Sequence, residues 1–497
     1  MRNFLAMTAL RMPGRLSPAS KAFLGIAAFL SVALPILYTA MAFANIQEDT
    51  KTARKNVLFI AVDDLRDWTG CLGGYPGVKT PNLDRLANRG LLFTRAYCSA
   101  PSCNPSRVAL LCSVNPATSG VYLNSHPWRP RLAEAITLPQ LFMQHGYKVW
   151  GGGKIFHGSF NDLKSWEVYF QRPADPVPDG RPLNGIPDAA QFDWGPLHVE
   201  DSAMGDAQLA DWAVEFLTQE HDRPFFLAVG FIRPHLPWYV PRKYFEEYPL
   251  SGIKLPPVRE DDLDDIPAAG VRMANPKGDH AKVLATDNWD RGIQGYLASI
   301  TFCDGQIGRV LDALDRRKDR DDTIIVLWSD HGWHLGEKLH WRKFTLWEES
   351  GRVPLIFVVP GVTQPGSRCE RVVSLLDVYP TLAELCNLPL PRHVEGRSLC
   401  RLLANPEAPW DHVALTTHGY RNHAVRNERW RYIRYADGSE ELYDHQSDPH
   451  EWTNLASLPQ YTEIKEQLSR YLPATDAQPA EAEKPIRAEQ QGRRRAR

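Results

Sequence analysis

Val57-Leu58-Phe59-Ile60-Ala61-Val62-Asp63-Asp64 is an unbroken apolar run that ends in two carboxylates. A strand made from that run has no face suited to water, which is the pattern of a parallel sheet covered on both sides. Residues 225–231, 323–328 and 355–359 repeat it. Helical spacing lies between the runs: 82–88, stopped by Gly90, and 294–314, where Leu297, Ile300, Ile307, Val310, Leu311 and Leu314 recur at helical intervals. Strands alternating with helices imply an α/β sheet with helices on both faces.

The residues just past the strands point to a site. The first run ends in Asp63-Asp64, the second stops just before Pro234-His235, and the third leads into Ser329-Asp330-His331-Gly332. Ligands of open α/β sheets bind beyond the carboxyl ends of the strands. One acid after a strand is ordinarily a helix cap. Three strands delivering acids or histidines to one edge are better explained by chemistry. Cys103-Asn104-Pro105-Ser106-Arg107 adds a nucleophile, because Pro105 suits a first helical turn and so sets Cys103 at a positive helix N-terminus. A lone cysteine is otherwise a packing residue; the company it keeps argues against that here.

The 497 residues, 43% hydrophobic and 23% charged, describe a globular enzyme-sized chain, and a formal net charge of −2 excludes the basic surface that nucleic acid requires. Arg2, Arg11, Arg15 and Lys21 precede an uncharged stretch over 22–44 that closes on Ala42-Phe43-Ala44, the small-x-small pattern of a signal-peptidase site. Export to the periplasm or medium is expected, with residues 1–44 removed as a signal peptide or kept as a membrane anchor. None of the eight cysteines forms a C-x-x-C pair, so a cysteine-built zinc site is excluded, while export permits disulfides. The texture changes near residue 390. Residues 51–390 read as the catalytic domain, 391–473 as a small antiparallel C-terminal subdomain, and 474–497 as a disordered tail with little to bury.

The motifs together resemble the type I, formylglycine-dependent sulfatases, and within them the branch of iduronate-2-sulfatase and its bacterial relatives. The resemblance spans about 56–455. It rests on Asp63-Asp64-Leu65-Arg66, Thr80-Pro81-Asn82-Leu83-Asp84, the C-x-P-x-R element at Cys103, Gly153-Lys154-Ile155-Phe156-His157, Arg233-Pro234-His235, Ser329-Asp330-His331-Gly332-Trp333 and Leu442-Tyr443-Asp444. It implies an alkaline-phosphatase-like α/β/α sandwich with a mostly parallel sheet and a small antiparallel C-terminal subdomain. It also implies that a formylglycine-generating enzyme oxidises Cys103 to an aldehyde. The hydrate of that aldehyde attacks the sulfur of a sulfate ester with one hydroxyl and releases sulfate through the other. By the same resemblance Asp63, Asp64, Asp330 and His331, with residue 103, hold one Ca²⁺. Arg107, Lys154 and Lys343 neutralise the sulfate, His157 helps collapse the intermediate, and His235 with Lys343 protonates the leaving alcohol.

Two positions depart from the family pattern: Cys112-Ser113 stands where Thr-Gly is common, and Val149 where Ser or Thr is common. Neither removes a catalytic group. A sulfated saccharide, cut from its end, is the expected substrate. Asn124-Ser125-His126-Pro127-Trp128-Arg129, with Trp333, His334 and Trp341, is the candidate sugar wall, Arg129 being the candidate partner for a uronate carboxylate. Two other classes stay open: a formylglycine-dependent phosphodiesterase or phosphonate monoester hydrolase, and a non-catalytic, exported glycan-binding pseudosulfatase. The second should lack the nucleophile or a ligand, and none is missing.

Overall fold

The run at Val57 forms a strand buried along its whole length, and its side chains alternate between two cores. Val57, Phe59 and Ala61 enter one; Leu58, Ile60 and Val62 enter the other. Both faces are therefore covered, as the missing polar positions require. The computed structural model describes residues 54–482; the leader expected over 1–44 and residues 483–497 of the expected tail lie outside them.

The main sheet has eight strands, β1 (Asn56–Val62), β2 (Leu91–Tyr97), β3 (Lys148–Gly153), β4 (Val168–Phe170), β5 (Phe225–Phe231), β6 (Thr323–Ser329), β7 (Arg352–Val358) and β8 (Ser367–Ser374). Their order is β8-β2-β7-β6-β1-β5-β3-β4. Neighbours are parallel except around β7, which runs against both β2 and β6. The run at 355–359, expected as a parallel strand, is thus antiparallel. The physical reason lies in its connection. A parallel return needs a crossover past the sheet, whereas 330–351 stays at the carboxyl end of β6 and holds no α-helix longer than Glu348–Gly351.

Helices α1 (Pro81–Arg89), α2 (Cys103–Cys112), α3 (Leu138–Gln144), α4 (Gly205–Thr218), α5 (Trp289–Asp315) and α6 (Val378–Leu385) cover the two faces. α2, α3 and α6 contribute Leu110, Leu141 and Leu382 to the first core. α1, α4 and α5 contribute Leu86, Leu209 and Ile300 to the second. The result is the expected α/β/α sandwich.

A four-stranded antiparallel sheet comes next, in simple order: β9 (Ala414–Thr417), β10 (His423–Arg426), β11 (Trp430–Arg434) and β12 (Glu440–Asp444). It joins the loop after β2 through Thr417 N, which donates to Ser99 O at 2.9 Å, and Thr416 Oγ1, which donates to Cys98 O at 2.7 Å. α7 (Thr462–Ser469) packs Leu468 into a core with Val425 and Tyr432 of this sheet. The segment after residue 474, expected from composition to be disordered, differs as far as it is described. Ala477 N donates to Ala117 O at 2.7 Å, Ala480 N to Gly120 O at 2.9 Å, and Asp476 pairs with His423 at 3.0 Å. Backbone hydrogen bonds hold it where apolar burial does not. All eight cysteines are free thiols. Among the described residues no helix is long and apolar enough to cross a membrane.

Candidate active site

β1, β5 and β6 end at one edge of the sheet, and α2 begins there. Ser102 precedes α2 in extended conformation, and Cys103, its first residue, is fully buried. Its thiol sits among groups from three other segments. Lys343 Nζ lies 3.0 Å from Sγ, His331 Nε2 3.3 Å and Lys154 Nζ 3.7 Å. Burial opposes a thiolate here, but Lys154 and Lys343 outweigh it and hold the Cys103 thiol well below its ordinary value. That is the environment of an activated residue rather than of a packing cysteine.

The acids arrive from the strand ends. Asp64 takes the left-handed region, with φ 62°, and its N–H donates to Asp330 Oδ1 at 3.1 Å while Tyr296 OH donates to Asp64 O at 2.7 Å. The bend is therefore fixed from two sides. Arg107, one turn into α2, locks the acids together: Nε donates to Asp330 Oδ2 at 2.8 Å and Nη2 to Asp63 Oδ1 at 3.1 Å. Its third nitrogen donates to the carbonyls of Lys154 and Ile155. Lys154 pairs with Asp63, and Lys343 with Asp64 at 2.7 Å. Burial raises the carboxyl of Asp63, yet Lys154, His235, Arg107 and Lys343 together drive it well below the usual range. For Asp64 burial wins and pushes it up to about 7.

Lys154 reaches the site through a close approach of strands. Gly153 has φ 77°, and a Cβ there would stand 2.1 Å from Gly230 O; a Cβ on Gly230 would stand 2.4 Å from the Lys154 backbone. Two glycines let β3 and β5 touch, and the chain turns there so that Lys154 faces Cys103. His235 lies just past β5. Its Nδ1 donates to Leu236 O at 2.6 Å, which leaves Nε2 toward the site, 3.9 Å from Asp64 Oδ2. Arg233 steadies this loop by donating to His235 O at 2.7 Å.

The residues fit a divalent cation. Donor atoms of Asp63, Asp64, Cys103 and His331 all lie within 4.8 Å of one another, and Asp64 Oδ2 is buried without a hydrogen-bond partner. A hard carboxylate oxygen left unpartnered at 0% exposure is costly unless a cation takes it. Asp330 is not in that tight set, because Arg107 holds its Oδ2, but His331 Nε2 is 3.4 Å from it.

Beside Cys103, on the far side of Lys154 and Lys343, opens a cavity of about 700 Å³. Lys154, His157, His235 and Lys343 line it, as do Asn124 and Trp333. Asn124 Oδ1 accepts from Ser102 Oγ at 2.7 Å and Asn104 N at 2.9 Å, so this side chain ties the sugar wall to the start of α2. The rest of the expected wall goes elsewhere. Arg129 is bound to Asp162 at 2.5 Å, stacks on Trp128 and donates to Ala135 O at 2.9 Å, so its guanidinium is already spent on the fold. His126 accepts from Tyr122 N at 3.2 Å, and His334 is enclosed by Glu337 O and Thr345 Oγ1. Trp341 is buried against Trp194. At the departures from the family pattern, Ser113 adopts φ 51° and binds Leu376 O and Gly396 N, which closes the helix as a left-handed cap. Val149 is simply core.

Sequence reasoning missed the outer wall. Residues 171–191, an irregular segment between β4 and α4, supply Gln171, Arg172, Asp175, Arg181 and Gln191 to the cavity, and no periodicity marks them.

Known proteins resemble the chain in sequence and in fold. Residues 55–388 match the sulfatase family model, and residues 336–478 match the C-terminal model of N-sulphoglucosamine sulphohydrolase. The chain is 39% identical over 452 residues to a sulfatase of Formosa agariphila, covering 87% of this chain and 89% of that one. It is 32% identical over 419 residues to human iduronate 2-sulfatase, covering 71% and 74%. Among solved structures, the phosphonate monoester hydrolase of Agrobacterium radiobacter superposes with a TM-score of 0.69 at 25% identity, over 84% of this chain and 94% of that one. The family model spans well over half the chain and covers both the Cys103 helix and the acid-bearing strand ends, so the chain belongs to the sulfatase family and is a hydrolase of sulfuric esters.

Proposed function

We propose that this protein is an exported sulfatase that removes sulfate from the end of a sulfated saccharide, with Cys103 oxidised to formylglycine as its nucleophile and Ca²⁺ beside it. One observation carries this reading: Sγ of Cys103 stands at the start of α2, ringed by Lys343, His331 and Lys154, and the two lysines also line the cavity. Asp63, Asp64, Asp330 and His331 would hold the cation. Bound there, it would supply a Lewis acid that eases loss of a proton from the attacking hydroxyl and binds a sulfate oxygen. The aldehyde hydrate supplies two hydroxyls on one carbon, one to attack sulfur and one to release sulfate.

The side chains do the rest. Arg107 orients Asp63 and Asp330 and, with Lys154 and Lys343, sets positive charge where sulfate oxygens gather in the transition state. Lys343 is the nearer proton source for the leaving alcohol, since Asp64 and Cys103 outweigh burial and keep it protonated. His235 is neutral, burial and Lys154 having lowered it to about 3, and accepts a proton only when an anionic ester offsets those cations. His157 lines the cavity, with a buried Nδ1 that has no partner, and is placed to assist release of sulfate. The saccharide reading is supported by the relatives, one of which is an iduronate 2-sulfatase.

The likeness to a phosphonate monoester hydrolase favours one competing reading, so the test compares both. Mature enzyme is assayed on sulfated mono- and oligosaccharides, a phosphate diester and a phosphonate monoester, and the Cys103 peptide is weighed. Expected are conversion of the thiol to an aldehyde, a kcat/KM highest for a terminal sulfate ester, and folded but inactive Cys103→Ala. A phosphonate or diester as the best substrate moves the assignment to the other class; full activity with unmodified cysteine would falsify the nucleophile.

A further inference from the structure

The cavity beside Cys103 holds more positive charge than one sulfate needs. Lys154 and Lys343 stand at the nucleophile, each paired with an aspartate. Farther out four arginines line the wall, Arg172, Arg181, Arg233 and Arg342. Three of them are answered. Arg172 binds Asp206 at 2.5 Å and also Asp175; Arg233 binds Asp175 at 2.5 Å; Arg342 binds Asp279 at 2.5 Å. Asp175, the one carboxylate lining the cavity among the described residues, is shared by two arginines and accepts from Gly205 N at 2.9 Å. It has nothing left for a fourth cation. Arg181 is exposed and, among the described residues, has no ion pair.

Nor is Arg181 carried on a loose end of chain. The two residues after Pro182 are anchored by a fully buried carboxylate: Leu183 N donates to Asp193 Oδ2 at 2.9 Å and Asn184 N to Asp193 Oδ1 at 2.8 Å. Asn288 Nδ2 adds a bond to Asn184 O at 3.0 Å. A buried acid that fixes the backbone beside an unpaired arginine at a cavity wall is a support for recognition. Gln171, Gln191 and Tyr169, which line the same cavity, are uncharged and polar, suited to hydroxyls rather than to a competing charge.

We propose that Arg181 is a specificity-determining residue that selects sulfate esters bearing a second anionic group, a carboxylate or a second sulfate, on the sugar being cut. A guanidinium pairs with either in two parallel hydrogen bonds. The inference rests on the cavity being the sulfate-ester site. It is tested on mature wild type, Arg181→Gln, Arg181→Lys and Arg342→Gln. The substrates are a sulfated uronic acid, the same sugar with its carboxylate reduced to the alcohol, and neutral monosaccharides carrying one or two sulfates. Wild type should prefer an anion-bearing substrate, and in Arg181→Gln that preference should fall about tenfold, chiefly in KM, with Arg181→Lys retaining part of it. Comparing the uronate with the disulfated sugar tells which anion is read. The proposal is overturned if wild type shows no preference, if Arg181→Gln slows all substrates alike, or if Arg342→Gln alone removes the preference. Turnover of a phosphonate with no sulfate ester cut would instead remove the reading on which the proposal stands, and the proposal with it.

Discussion

Asp64 shows how a single residue is shaped by the site. Its φ of 62° is uncommon outside glycine, and aspartate is among the few side chains that tolerate it. The bend turns its carboxylate toward Cys103 and leaves Oδ2 buried without a partner. Three buried acids facing Arg107, Lys154 and Lys343 still leave a donor for a metal. Chelation should therefore abolish turnover and lower Tm by at least about 5 °C, with Ca²⁺ restoring both. Unchanged activity and Tm after exhaustive chelation would take Asp63, Asp64, Asp330 and His331 out of that role; restoration by Mg²⁺ alone would change only the ion. At this scale the sequence was informative where an acid comes directly after an apolar strand. It was not for Arg129, which adjoins Trp128 in the chain but turns to Asp162. Arg181 carried no signal, because its meaning comes from partners that lie elsewhere.

Elements position these residues through a few close contacts. The strands legible in the sequence, β1, β5, β6 and, but for its direction, β7, are the central ones, whose unbroken apolar runs reflect burial on both faces. β2, β3 and β8 were not legible. β2 is interrupted by Thr94 and Arg95, β3 is half glycine, and β8 lies at the edge and carries Arg368, Glu370 and Arg371. Glycine in β3 weakened the strand signal for the reason that makes it functional: Gly153 and Gly230 allow the approach that presents Lys154. Gly230→Ala should push the Lys154 backbone aside, costing about 1–3 kcal/mol of stability and lowering kcat more than it raises KM. Differential scanning calorimetry with steady-state kinetics checks this; a variant with native kcat would mean that the approach is mere packing.

Across the whole molecule, the antiparallel sheet is fastened to the loop that carries Lys343. Arg431 of β11 is fully buried, pairs with Glu348 and Glu451, and donates to Leu346 O at 3.0 Å. Burial alone would raise both acids, but Arg431 and His445 hold Glu348 far below its ordinary value and Glu451 at about 2. Depressed carboxylates add stability above their unfolded value near 4.5 and lose it as pH falls toward 2. Wild type should accordingly lose Tm steeply over that window. Arg431→Leu strands two buried acids and should cost about 3–5 kcal/mol at pH 7. Without the guanidinium burial raises the acids, so the deficit should shrink as pH falls from 7 toward 4. A deficit that stays constant with pH, tracked by thermal melts, would show that Arg431 acts by packing alone. Composition suggested a small sheet here, but only the fold reveals that it braces the loop carrying Lys343.

The burial of Cys103 also sets an order of events in time. In the folded protein its thiol is sealed at 0% exposure beneath Lys343 and His331, so no second enzyme can reach it. If Cys103 is oxidised as proposed, that step belongs to a chain not yet closed over it. Folding would then be a deadline: a chain that closed over an unoxidised Cys103 would be well formed and would lack the proposed nucleophile.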